Sequence, residues 1–109
     1  MTWKVVLRMQ AVEDEDAIFH YLQQQSPRTA ARFNTAYQAA LRAIVADPLA
    51  GMRLAIPEIE GELRYRRPDG FPNYLVIYRI HLTAVEILRV LHGAMDLPRA
   101  LGTPPDGPV

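Results

Sequence analysis

The apolar positions change period once along the chain, and that change separates a helical half from a sheet half. Residues 3–8, WKVVLR, are short and rich in β-branched side chains, so they predict an opening strand. Ile18, Tyr21 and Leu22 then recur at helical steps behind Glu13, Asp14, Glu15 and Asp16, the charge order a helix macrodipole favours; a first helix is predicted to begin near residue 12 and to run to residue 25. The acidic run reads as a solvated first turn, with a docking patch for a basic partner as the other reading.

Ser26 followed by Pro27 predicts a capped second helix, because proline at the first helical position gives up a donor that has no intrahelical partner there. Ala30, Phe33, Tyr37, Ala40, Leu41 and Ile44 form one apolar stripe through to Val45, opposite Arg28, Arg32, Asn34, Gln38 and Arg42. So short a connection implies an antiparallel hairpin, and Asp47, Pro48 and Gly51 stop the second helix. From residue 62 the period becomes two. The segments 62–67, 74–80 and 85–92 predict three strands, and the turn material between them, Pro68 to Pro72 and His81 to Thr83, suits an antiparallel meander. The expected fold class is therefore α+β: a strand, an antiparallel two-helix hairpin on one face of the sheet, then a three-stranded antiparallel meander. One domain over residues 1–98 is expected, with a proline- and glycine-rich flexible C-terminal tail, 99–109, that has little to bury.

Composition narrows the chemistry. The 109 residues hold no cysteine, which excludes disulfides and thiolate metal sites, and His20, His81 and His92 lack ligand spacing, so no metal and no cofactor is expected. No apolar run is long enough to span a bilayer and no signal-like stretch opens the chain, so a cytoplasmic protein without membrane contact is expected. Twelve basic residues balance twelve acidic ones, yet residues 64–99 carry Arg64, Arg66, Arg67, Arg79, Arg89 and Arg99 against Asp69, Glu86 and Asp96. Arginine grips phosphate or carboxylate in a fork, so these residues read either as sheet-surface side chains covering apolar area or as an anion- or protein-binding face. Tyr65, Tyr74 and Tyr78 read as amphipathic packing residues or as a stacking platform. His92 ends the last strand beyond Val90 and its expected same-face neighbour Leu88. It reads as a strand-end histidine or as an acid–base group that needs a partner, with Glu86, Arg64 and Asp96 the candidates. No phosphate loop, nucleophile elbow or paired-carboxylate motif is present.

Six blocks in register carry a resemblance: I-F-H-Y-L (18–22), S-P-R-T-A-A-R-F (26–33), D-P-L-A-G (47–51), L-R-Y-R-R (63–67), F-P-N-Y-L-V-I-Y-R (71–79) and E-I-L-R-V-L-H-G-A-M-D (86–96). Over residues 3–98 the chain resembles the RelE/ParE superfamily, the toxins of type II toxin–antitoxin modules, and is closer to the ParE branch. That resemblance implies the fold inferred above and a cognate antitoxin, with a DNA-binding part, that folds onto the toxin in a hetero-oligomer. ParE-like members block DNA gyrase by binding. RelE-like members enter the ribosome and cut mRNA, which needs basic groups on the scissile phosphate and an acid–base group.

Gly93 after His92 and the absence of lysine beyond Lys4 favour the ParE-like activity, and zero net charge suits a protein target better than RNA or DNA. The expected target contacts are Arg64, Arg67, Arg79, Arg89 and His92. On the RelE-like alternative, Arg64, Arg79 and His92 are the catalytic set; a non-toxic antitoxin-binding relative is the third reading. Trp3 and Phe19 are candidate antitoxin contacts, the other reading being ordinary core residues. Glu15 stands where relatives often have leucine, which implies a less firmly anchored first helix.

Overall fold

The computed structural model describes residues 3–57, 59–93 and Leu101. Strand β1 (Lys4–Leu7) leads into helix α1 (Met9–Gln25) and helix α2 (Pro27–Ala46). A single 3-10 turn (Pro48–Ala50) is followed by β2 (Met52–Leu54), β3 (Glu62–Arg66), β4 (Tyr74–His81) and β5 (Ala84–His92). The five strands form one sheet in the order β1-β5-β4-β3-β2. The meander β3-β4-β5 is antiparallel throughout, and β1 lies parallel to β5 as an edge strand.

The α+β arrangement expected from the sequence is thus the one observed. Ser26 joins the helices as predicted: its Oγ accepts from Thr29 N at 3.2 Å, while its own N–H donates to Leu22 O and closes α1. Phe33, Tyr37, Ala40 and Ile44 on α2 pack with Ala11 of α1 onto Val76, Tyr78, Val85, Ile87 and Val90, forming the main core. Burial of these side chains contributes on the order of 1.5–3 kcal/mol for each large one.

Four expectations are corrected. Helix α1 begins at Met9, not near residue 12, so the acidic run lies in its second turn and not its first. Arg8 supplies an extended N-cap whose side chain makes no capping hydrogen bond, and Ala11 sits fully buried in the core, which draws the helix start forward. The strand β2 was not expected; Met-Arg-Leu has neither the β-branching nor the length to signal itself, and pairing with β3 holds it in place. The register of β5 also changes: Ile77 pairs with Arg89 but Tyr78 with Ile87, leaving one extra residue in β5. This bulge places Val90 in the main core and Leu88 in a second cluster, with Leu63, Leu75, Ile77, Leu91 and Ile56, so Leu88 and Val90 do not share a face. Finally, Leu101, in the tail expected to bury little, is buried in this second cluster. The rest of the tail lies outside the described residues.

One open stretch of sheet edge is closed by a side chain. β1 covers β5 only as far as Ile87, whose carbonyl accepts from Arg8 N. Beyond it, Asp14 on α1 takes over: Oδ2 accepts from Val90 N at 2.9 Å and from Arg89 Nε at 2.7 Å, and Oδ1 accepts from Arg89 Nη2 at 3.0 Å. A carboxylate therefore stands where a neighbouring strand would continue, and it fastens α1 to the sheet.

The chain leaving α2 is anchored just as firmly. The fully buried Tyr78 donates its hydroxyl to Pro48 O at 2.6 Å. Gly51 passes so close that a Cβ there would lie 2.0 Å from the same hydroxyl oxygen, which excludes any larger residue without displacement of Tyr78.

Two stability measurements test this account. Asp14→Ala should cost about 3 kcal/mol in urea unfolding, because Arg89 and Val90 N–H lose their partner together, with Asp14→Asn intermediate. A loss near zero for Asp14→Ala would show that water replaces the carboxylate. Tyr37 gives the opposite expectation: it is almost fully buried, its hydroxyl has no hydrogen-bond partner among the described residues, and burial together with the nearby Glu15 and Asp14 charges pushes it up to about 12. Tyr37→Phe should therefore leave stability unchanged or raise it by about 1 kcal/mol, whereas a loss of that size would reveal a hidden partner.

Candidate functional site

The strand register decides which arginines share a surface. Arg64 lies opposite Tyr78 and so on the helix-bearing face, while Arg79 lies opposite Leu63 and Glu86 on the other. Arg64 is tied to the chain after α2: Nε donates to Glu62 Oε2, and Nη1 donates to Leu49 O at 2.9 Å and Gly51 O at 2.6 Å. Its side chain is only 13% exposed. It works as a latch on the 3-10 turn beside Tyr78.

Arg79 is engaged just as fully. Nη2 reaches both Glu86 oxygens, at 2.9 and 3.0 Å, Nε reaches Oε1 at 3.1 Å, and Nη1 donates to Glu60 O at 3.3 Å. The Arg79 hydrogen bonds hold the Glu86 carboxyl below the usual carboxylate range, against the opposing effect of burial, and the charges of Arg79, Arg8 and His81 act in the same direction. Arg89 belongs to the Asp14 clamp, whose hydrogen bond raises its already high pKa.

The other two target candidates are more open. Arg67 is exposed, donates Nε to Pro72 O at 2.9 Å and lays its guanidinium 5.1 Å from the Tyr65 ring centroid. His92 is exposed at the end of β5, edge-on to Tyr74 with ring centroids 5.4 Å apart. Arg89 and His92 do come together, along with Ile18, Tyr21, Tyr74 and Val90, around a shallow, mostly apolar groove of about 310 Å³ between α1 and the end of β5.

Arg64, Arg79 and His92, the catalytic set of the alternative RelE-like reading, are not brought together. His92 and Glu86 lie six residues apart on one strand, about 20 Å, and Glu86 is committed to Arg79. Arg64 and Arg79 occupy opposite faces of the sheet. Asp96, the remaining candidate partner of His92, lies outside the described residues, as does Arg99. Among the described residues no group of acidic or histidine side chains could hold a metal ion. Tyr74 and Tyr78 belong to the helix-side core, which leaves only the half-buried Tyr65, already covered by Arg67, on the other face.

Trp3 is half-buried and packs against the main core, and Phe19 is half-buried with its ring edge-on to His20. The apolar side chains that face solvent nearby are others: Val5, Leu7, Met9 and Val12, which follow one another along β1 and into the first turn of α1. Their exposure has no signal in the local sequence pattern, because it depends on β1 being the edge strand of the sheet.

The Glu86 pairing makes stability depend on acid in a defined sense. Because folding lowers its pKa from the ordinary 4.5, its contribution is complete above that value and is lost as pH falls through the lower folded one. The parent chain should therefore lose stability between about pH 5 and 3 more steeply than Glu86→Gln, measured by chemical unfolding across that range. Equal slopes would show the pair contributes nothing.

Comparison with known proteins agrees with this architecture. A family model described as "ParE toxin of type II toxin-antitoxin system, parDE" matches residues 5–97. The curated protein "Toxin RelE1" of Caulobacter vibrioides is 28% identical over 93 residues, spanning 85% of this chain and 96% of its own length. A solved structure described as "Chromosomal ParDE TA system from P. aeruginosa" superposes with a TM-score of 0.65 at 18% identity, covering 84% of this chain and 96% of that one, which is a likeness of fold. With the strand, helical hairpin and antiparallel sheet in place and 93 consecutive residues matched by the family model, this chain belongs to the ParE toxin family of type II toxin–antitoxin systems.

Proposed function

We propose that this toxin acts in the cytoplasm by protein–protein contact on DNA gyrase, without bond-making chemistry of its own, and is neutralised when its cognate antitoxin covers it. The observation that carries the reading is the commitment of the sheet arginines. Arg64, Arg79 and Arg89 are satisfied by Glu62, Glu86 and Asp14 and by main-chain carbonyls, so a scissile phosphate placed on the sheet would have to compete with partners already at hydrogen-bond distance. Cleavage of mRNA further requires an acid–base group near those cations, and His92 stands at the far end of β5 from the Arg79–Glu86 pair. The groove that joins Arg89 and His92 to Tyr21 and Tyr74 is mostly apolar, a surface suited to a protein. The exposed run Val5, Leu7, Met9 and Val12, flanked by Trp3, is the apolar area an antitoxin would cover.

The purified toxin should inhibit gyrase supercoiling or trap cleaved DNA and should leave ribosome-bound mRNA intact, and addition of the antitoxin should relieve the inhibition. The name of the Caulobacter relative makes the contrary outcome concrete. Ribosome-dependent mRNA cuts that disappear on His92→Ala or Arg64→Ala would replace this reading with endoribonuclease activity.

A further inference from the structure

The turn that joins β4 to β5 holds a leucine in a conformation that folding alone does not reward. His81 pairs with Ala84, so Leu82 and Thr83 form a two-residue hairpin loop. Leu82 sits at a φ of 57°, the one non-glycine residue with positive φ among the described residues. Glycine or asparagine fills such a position readily, whereas the Cβ of a leucine crowds the neighbouring carbonyl there. Packing does not offset the crowding. The side chain is 84% exposed, the most exposed of the large apolar residues described, and it belongs to neither core cluster. Backbone strain that the fold itself does not need clusters at binding and switch sites.

The tip is also rigid, and it is charged on one side. Lys4 N–H donates to Thr83 O at 3.0 Å, which ties the turn to β1, while Val85 below it is fully buried and Ile80 packs against the main core. A partner that meets this tip has little loop entropy to remove. Lys4, Ala84 and His81 are successive register partners, so Lys4 and His81 flank the turn on one face of the sheet, both exposed. In the next row of that face the carboxylate is Glu86, already held by Arg79 and with Arg8 3.8 Å away. His81 stands close enough for its charge to act on Glu86 as well. The surface behind the tip thus gathers more positive than negative charge. Val5 and Leu7 of the exposed apolar run lie on the opposite, helix-bearing face, because Val5 is aligned with the core residue Val85.

We propose that Leu82 is the apolar anchor by which the toxin holds its protein target, entering a recess whose rim carries carboxylates opposite Lys4 and His81. The inference rests on the chain being a toxin that acts by binding. Duplex DNA is the weaker match: a leucine wedged between bases needs cations that follow the phosphates on both sides, and the chain as a whole is neutral. Charge of one sign beside an apolar anchor instead selects a protein surface of the other sign.

Leu82→Gly and Leu82→Asn both suit positive φ, so each should melt at or above the parent temperature. In gyrase supercoiling assays each should need about tenfold or more toxin for half-inhibition, the factor that burial of one leucine supplies, and Leu82→Met should lose less. Lys4→Glu should weaken inhibition at low salt and converge on the parent near about 0.5 M. Binding of the Leu82 variants to the co-encoded antitoxin should be unchanged. The inference is overturned if Leu82→Gly inhibits as the parent does, if it melts well below the parent, if antitoxin binding falls in step with inhibition, or if the loss tracks weaker binding to duplex DNA alone. Growth arrest on induction in cells separates the anchor from the choice of target. A parent that arrests growth without inhibiting gyrase, with arrest relieved by Leu82→Gly, keeps the anchor and removes gyrase. Gyrase inhibition equal in parent and Leu82→Gly does the reverse, and ribosome-dependent mRNA cuts by the parent, or no arrest at all, remove both.

Discussion

The fold depends on satisfying one strand from both sides. β5 is the longest strand and sits beside β4 over its whole length, but its outer neighbour β1 is only four residues long. A sheet edge left open inside a helix-covered region would strand a buried N–H at a cost comparable to a lost hydrogen bond. Asp14 resolves this by accepting from Val90 N–H and from Arg89 together, and in doing so it sets the position of α1 on the sheet. The bulge at Leu88 belongs to the same arrangement, since the extra residue turns Arg89 towards α1 while returning Val90 to the core.

The same economy of partners governs the charge. The positive excess counted along residues 64–99 suggests a cationic face, but side-chain positions distribute it differently. Glu62 neutralises Arg64 from its own strand, Glu86 neutralises Arg79 across the sheet, and Asp14 neutralises Arg89 from a helix. Each pair is also partly desolvated, so its worth lies less in net attraction than in the cost of separating it. Arginines used in this way specify the geometry of the sheet and of the loop after α2, and little of their charge projects outwards. The cations without a carboxylate partner among the described residues are spread over other surfaces, among them Arg28 and Arg32 on α2, Arg53 on β2, Arg66 on β3 and Arg67 just beyond it.

What was legible in the sequence follows from the range of the interactions concerned. Ser26-Pro27, the α2 stripe and the meander are all encoded within a few residues, and each appears where periodicity and capping place it. The short β2 has no local signal because only its pairing with β3 makes it a strand. Leu88 looked like a same-face neighbour of Val90 because alternation assumes an uninterrupted register. Asp14 looked like a first-turn acid because its real partner is 75 residues away. The resemblance to the RelE/ParE superfamily held at the level of family and fold, whereas the roles of individual arginines depended on contacts that no linear pattern encodes.

The functional branch turns on this same distinction between charge present and charge available. Phosphoryl-transfer and cleavage sites work because preorganised cations meet charge that develops in the transition state. A guanidinium whose fork already grips a carboxylate has little left to offer unless that pair first separates, and separation of a half-buried pair opposes catalysis by the energy it releases on reforming. A binding toxin faces no such conflict. Its arginines can be spent on rigidity, which lowers the entropy lost when a partner docks, and recognition can pass to exposed apolar surface such as the groove that Ile18, Tyr21 and Tyr74 line. A neutral chain with internally paired strands is, on these grounds, better suited to gripping a protein than to holding a phosphate.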